Sequence, residues 1–172
     1  MNVLHSSKSV EWYTPKEIID PVRSILGQID LDPASCEEAN AIVSATVYHN
    51  KRNNGLAQPW CGLVYCNPPY SRGETDQWVD KALIEVACEN ARAVIMLLNA
   101  TTDRVWFHKL WYWGCHVCFL YKRVRFVCVN SSGVLEKGST PTHGNVLVLI
   151  SKELGIKRNF NRVLQDTYGH CV

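Results

Sequence analysis

Neither sign of charge dominates this 172-residue chain: 18 Lys and Arg stand against 16 Asp and Glu, a net charge of +2. That balance is too weak to announce a nucleic-acid partner by itself. No apolar run approaches the roughly 18 residues a membrane span needs, which excludes a membrane partner of that kind. Met1–Val10 lacks the apolar centre of a signal peptide, so the expected location is cytoplasmic. Internal repeats, low-complexity tracts and linkers are missing too, and the ordinary composition excludes collagen, disorder and coiled coil. The reading is one domain, 1–172, with its core at about 11–150 and a polar tail, itself a candidate helix, at 151–172.

Cysteine is what the chain does have, eight in all. Without a signal peptide they read as reduced thiols, not as a disulfide scaffold. Cys115 and Cys118 have zinc-ligand spacing, and Cys61 and Cys66 would complete a set. Cys115 to Tyr121 reads as a strand, however, where residues three apart face opposite ways, so no metal is expected. The positive charge is clustered at Lys122, Arg123 and Arg125, at Lys51-Arg52 and at Lys157-Arg158, which by charge alone is a solvated face.

Thr14-Pro15-Lys16-Glu17 has the form of a capping box, followed by Ile18, Ile19, Val22, Ile25 and Leu26 at helical spacing and a stop at Gly27. Pro21 is awkward inside that helix and predicts a kink or restart. A short strand is expected over Gln28–Asp32, a helix to about Ile42 and a strand at Val47–His49. Gly62–Cys66 is a strand that stops at Asn67-Pro68-Pro69-Tyr70. Trp78 to Ala87 is an amphipathic helix, and Ala93–Leu98 a strand covered on both faces. A helix capped by Thr102 or Asp103 carries Trp106, Phe107, Leu110, Trp111 and Trp113 as core. Strands follow at Val117–Tyr121, Val124–Val129 and Val146–Ile150, with Asn130–Gly144 a turn-rich loop. Alternating strands and helices predict an α/β fold with a mostly parallel sheet, whose ligands bind at the strands' carboxyl ends.

Two places combine such an end with unusual chemistry, Asp30-Leu31-Asp32-Pro33 and Asn67-Pro68-Pro69-Tyr70. Consecutive prolines cannot donate to a ladder, so the backbone leaves the sheet after Cys66 as a stiff turn. Asn67 Oδ1 and the Pro68 carbonyl could accept both hydrogens of one exocyclic amino group while Tyr70 stacks on the ring that bears it. Drawing on both hydrogens localises the nitrogen lone pair and stabilises the charge that develops when it attacks an electrophilic methyl.

These four residues match the catalytic motif of amino-methyltransferases that use S-adenosylmethionine. Over residues 11–150 the chain resembles the small phage-type DNA adenine-N6 methyltransferases. Glu11–Pro15, Asp30–Ala34, Asn54–Leu56 with Trp60, Trp78-Val79, Asn99–Phe107 and Arg123–Phe126 support the match.

The resemblance implies a compact Rossmann-like class I methyltransferase fold with antiparallel C-terminal strands, and S-adenosylmethionine as cofactor. It also implies DNA as partner, with a flipped or single-stranded adenine, in a host cell's cytoplasm if phage-encoded. It gives Asn67, Pro68, Pro69 and Tyr70 the catalytic roles. Tyr13, Thr14 and Pro15 would close over the cofactor's methionine end. Asp32, beside Pro33, would engage its ammonium, with Asp30 the less favoured choice. Asn54, where the family usually has an acidic residue, would contact its adenine, and Ser71, Arg72, Arg123 and Arg125 would meet DNA.

Each assignment has a plainer rival: Thr14 and Asp32 as helix caps, Asn54-Gly55 as a tight turn. Asn99 stands where the family usually shows proline, and Ser35-Cys36-Glu37-Glu38 replaces a glycine-rich cofactor loop. With no room for a separate recognition domain, the expectation is relaxed or very short sequence specificity, or a second subunit, as in a homo-oligomer, that completes the DNA-binding surface. The same motif also serves enzymes acting on RNA adenine or protein amides. A non-catalytic nucleic-acid-binding module is the other class.

Overall fold

In the computed structural model, residues 12–71, 73–130, 134–138 and 142–172 are described; Glu11 and Arg72 lie outside them. The path begins with α1 (Lys16–Leu26), β1 (Leu31–Asp32), α2 (Glu37–Val43), β2 (Val47–Tyr48), β3 (Gly62–Cys66), α3 (Glu74–Ala87) and β4 (Ala91–Asn99). It continues with α4 (Val105–Tyr112), β5 (His116–Leu120), β6 (Val127–Val129), β7 (Leu135–Lys137), β8 (Asn145–Ser151), α5 (Leu154–Leu164) and β9 (Gly169–Cys171). Seven strands form one sheet in the order β2-β1-β3-β4-β8-β5-β9, and β6 and β7 make a separate hairpin.

The pairings β1–β2, β1–β3 and β3–β4 are parallel, while β4–β8, β5–β8 and β5–β9 are antiparallel. Five strands therefore point one way, and only β8 and β9 run against them. This is the expected α/β architecture, Rossmann-like with antiparallel strands at its C-terminal side.

Alternation along β4 explains why it is apolar throughout. Ala93, Ile95 and Leu97 face a core shared with α1 and α5, and Val94, Met96 and Leu98 face one shared with α3 and α4. Each of these six side chains is fully buried, so helices cover both faces of the sheet.

Several local expectations are corrected. α1 starts without a side-chain cap, because Thr14 Oγ1 is hydrogen-bonded to Tyr65 Oη at 2.8 Å and is not available to the helix. The helix runs unbroken through Pro21, whose ring is buried among its apolar side chains. The missing N–H deprives only the carbonyl of Glu17, an exposed residue. The first strand is two residues, not five. α4 has Arg104 at its N-cap with no side-chain cap, and its aromatics divide: Trp106 and Phe107 are buried, Trp111 and Trp113 exposed. β7 lies inside the stretch read as a loop, and Val124 to Phe126 is not strand.

The largest correction concerns the tail. Residues beyond 150 form α5 and β9, and Ile156, Phe160 and Leu164, spaced by four, are buried against α1 and the sheet. β9 pairs with β5 through Cys118↔Cys171, so the sheet extends past the expected core boundary. Phe160→Ala should lower unfolding free energy by roughly 3–5 kcal/mol in urea titrations, the cost of emptying a buried aromatic site. A surface tail would show no change.

Candidate active site

After β1 the chain goes outward through α2 to β2, then returns past β1 to form β3 on its other side. Strand order reverses there, and the carboxyl ends of β1 and β3 leave a crevice between the two connections. A cleft of about 890 Å³ occupies it. Asp32 ends β1 and Asn67 follows β3, so the two motifs singled out by sequence meet at one opening.

The floor is the turn after β1. Asp32 is buried, accepts a hydrogen bond from the Ala34 N–H at 3.1 Å and is hydrogen-bonded to the Ser35 side chain. Burial dominates over these bonds and raises its carboxyl from 3.8 to about 7. Cys36 Sγ, not Asp32, caps α2 by accepting from Ala39 N–H.

The wall beyond is the loop after β2. Asn54, at φ 45°, turns it back and accepts from Leu56 N–H, and Trp60 Nε1 donates to the Gly55 carbonyl. Gly55 lies so close to Pro33 that a Cβ would sit 1.8 Å from the Pro33 carbonyl oxygen. Only glycine lets this loop rest on the floor. His49, also on this wall, has its pKa lowered by burial.

Opposite, residues 12–14 cross the opening. Tyr13 exchanges backbone hydrogen bonds with Val127 at 2.7 and 2.9 Å, and Thr14 is tied to Tyr65 in β3. The Asn67–Tyr70 corner completes the cleft. Tyr70 Oη lies 2.7 Å from Asn67 Oδ1 and 3.0 Å from the Leu97 carbonyl oxygen, and burial holds its hydroxyl well above the usual range. Phe126 meets the Tyr70 ring edge-on at 6.3 Å.

Of the residues expected from sequence, Tyr13, Thr14, Asp32, Pro33, Asn54, Asn67, Pro68, Pro69, Tyr70 and Ser71 line this cleft. Pro15, Arg123 and Arg125 instead line a second cavity of about 760 Å³, with Lys122 and Tyr121 on its rim. Asp30 is elsewhere: its Oδ2 accepts from Leu63 N–H at 2.8 Å and its Oδ1 from Gln28 Nε2, which braces the start of β3. Sequence reasoning missed His49, Gln77 and Phe126. The signals were a strand end for His49 and, for Gln77, one helix face shared with Glu74 and Trp78.

Residues 2–166 match the family model for DNA N-6-adenine-methyltransferase (Dam). The chain belongs to that family. It is similar to a DNA N-6-adenine-methyltransferase of Escherichia phage T1, 35% identical over 99 residues. That match takes in 56% of this chain and 38% of the relative, so the chain spans well under half of the phage protein's length. Both motifs of the Dam-family cleft fall inside the matched family region.

The raised Asp32 carboxyl has a sign that can be checked. In the unfolded chain it ionises near 3.8, in the folded one near 7, so its contribution to stability is whole below the first value and is lost as pH rises through the second. Asp32→Asn removes that loss. The ligand-free variant should be more stable than wild type at pH 8, by up to about 4 kcal/mol, and the gap should close toward pH 4 in urea titrations.

Proposed function

We propose that this chain transfers a methyl group from S-adenosylmethionine to N6 of an adenine in DNA, single-stranded or flipped out of the duplex. The observation that carries the proposal is the shared cleft: a rigid amide–carbonyl corner at Asn67-Pro68 opens onto the same space as the buried carboxylate Asp32. Family membership supports the reaction class.

The residues present fit the cofactor. A carboxyl raised by burial is the donor set that a ligand ammonium would stabilise, and the cleft falls in the size range of small-molecule sites. Asp32 would hold the ammonium; Tyr13 and Thr14 would cover that end, and Asn54 would border the purine. When bound, S-adenosylmethionine supplies an electrophilic methyl carbon.

The protein's own part is to prepare the nitrogen. Asn67 Oδ1 and the Pro68 carbonyl accept the two amino hydrogens, Tyr70 stacks against the base, and the prolines stiffen the backbone that carries these groups. Neither a metal nor a covalent enzyme intermediate is required. Ser71 would meet the strand at the cleft, Arg72 is a candidate phosphate contact by its charge, and Arg123 and Arg125 would hold phosphates at the second cavity. The work would be done in the cytoplasm that holds the DNA. Among the described residues, no helix is long and apolar enough to cross a membrane.

Asn67→Ala should lower kcat about 10²–10³-fold, as deletion of one preorganised polar group does. N6-methyladenine formed in DNA, read by mass spectrometry, is the assay. RNA and protein substrates run alongside should stay unlabelled. S-adenosylmethionine affinity should weaken about tenfold between pH 8 and pH 6, because ligand binding requires ionised Asp32 and that fraction falls across its pKa of about 7. Calorimetry should also find protons released on binding at pH 7.

A further inference from the structure

Tyr70 lies against two groups that cannot both use it in the same way. Its hydroxyl carries one proton, yet Oη is within hydrogen-bond distance of both Asn67 Oδ1 and the Leu97 carbonyl. A backbone carbonyl can only accept. Leu97 sits one step past the last β3–β4 pair, Cys66↔Met96, on a fully buried residue. Asn67 has already left the sheet there, and the next residue, Pro68, has no N–H to continue the ladder. The tyrosine hydroxyl is what reaches that carbonyl.

Asn67 has an alternative that Leu97 lacks. A half-turn of its amide exchanges oxygen for nitrogen and offers Tyr70 Oη a donor in place of a second acceptor. We propose that Tyr70 is a positioning residue for Asn67. Its proton rests on the Leu97 oxygen, its oxygen accepts from Asn67 Nδ2, and Asn67 Oδ1 is thereby turned toward the cleft. Asparagine needs such an instruction, since in the opposite orientation it would present N–H groups to an amino group. A carboxylate is an acceptor either way round.

The inference rests on the proposed reaction for its purpose, but not for its first test. In the free wild-type chain, the side-chain amide of Asn67 is identified in a ¹⁵N–¹H spectrum by its loss in Asn67→Asp. One of its two protons should be shifted downfield and slow to exchange, and in Tyr70→Phe that shift should disappear. In wild type, two Asn67 amide protons that both lie at ordinary asparagine positions and both exchange rapidly overturn the proposal.

The second test is kinetic. Tyr70→Phe keeps the stacking ring, so kcat should fall about tenfold, the scale of one ordinary hydrogen bond, with KM within twofold. In the Asn67→Asp background the same change should cost at least fivefold less. An equal penalty in both backgrounds, or wild-type kcat in Tyr70→Phe, overturns the positioning role. A wild-type chain that methylates nothing refutes the reaction and leaves the amide spectrum to decide the geometry.

Discussion

A sheet strand must stop where its next residues have no N–H to give. β3 meets that condition at Pro68-Pro69, and the arrangement of the site follows from it. The chain turns out of the sheet one residue after Cys66, on the strand next to β1, and so sets down Asn67 and Tyr70 beside the opening that Asp32 floors. The same stop strands a carbonyl on the neighbouring strand, and the motif's own tyrosine returns to it. One backbone restriction thus supplies the exit from the sheet, the stiffness of the corner and an anchor for the aromatic ring.

The charge at the other end of the cleft follows a different rule. Asp32 is held in the interior by one backbone N–H and one side-chain hydrogen bond, too little to offset the loss of water. The empty protein is strained electrostatically at a point where a cationic ligand would relieve it. In the free protein that cost is carried as stability lost once the pH passes the raised pKa of the carboxyl.

Patterns with a strong period were legible in the sequence. The apolar spacing of α1, the stop at Gly27, the whole of β3 and the doubly covered β4 all follow from side-chain periodicity and proline chemistry. What escaped has definite causes. Leu135-Glu136-Lys137 is an exposed three-residue strand with no apolar face to betray it. A helix was open to the reading at α5, but the burial of Ile156, Phe160 and Leu164 was hidden by the polar residues around them. Thr14 read as a helix cap because its partner, Tyr65, is 51 positions away, and no local rule sees such a bond. At the site, Asn67–Tyr70 and Asp32 were readable because chain geometry and chemistry coincide there. Asp30 and Asp32 could be told apart only by the register that sends Asp30 to Leu63. Arg123 and Arg125 are near the cleft in motif order but face another hollow.

The stretch that crosses the cleft is fastened more lightly than what lies beneath it. Among the described residues its backbone is joined to the hairpin strand β6 by the reciprocal pair of Tyr13 and Val127, whereas β3 and β4 are paired at five positions. Unequal fastening means unequal opening free energies within one fold. Parting the Tyr13–Val127 pair together with the Thr14–Tyr65 hydrogen bond would lift the crossing stretch while β3 and β4 stay in register beneath it.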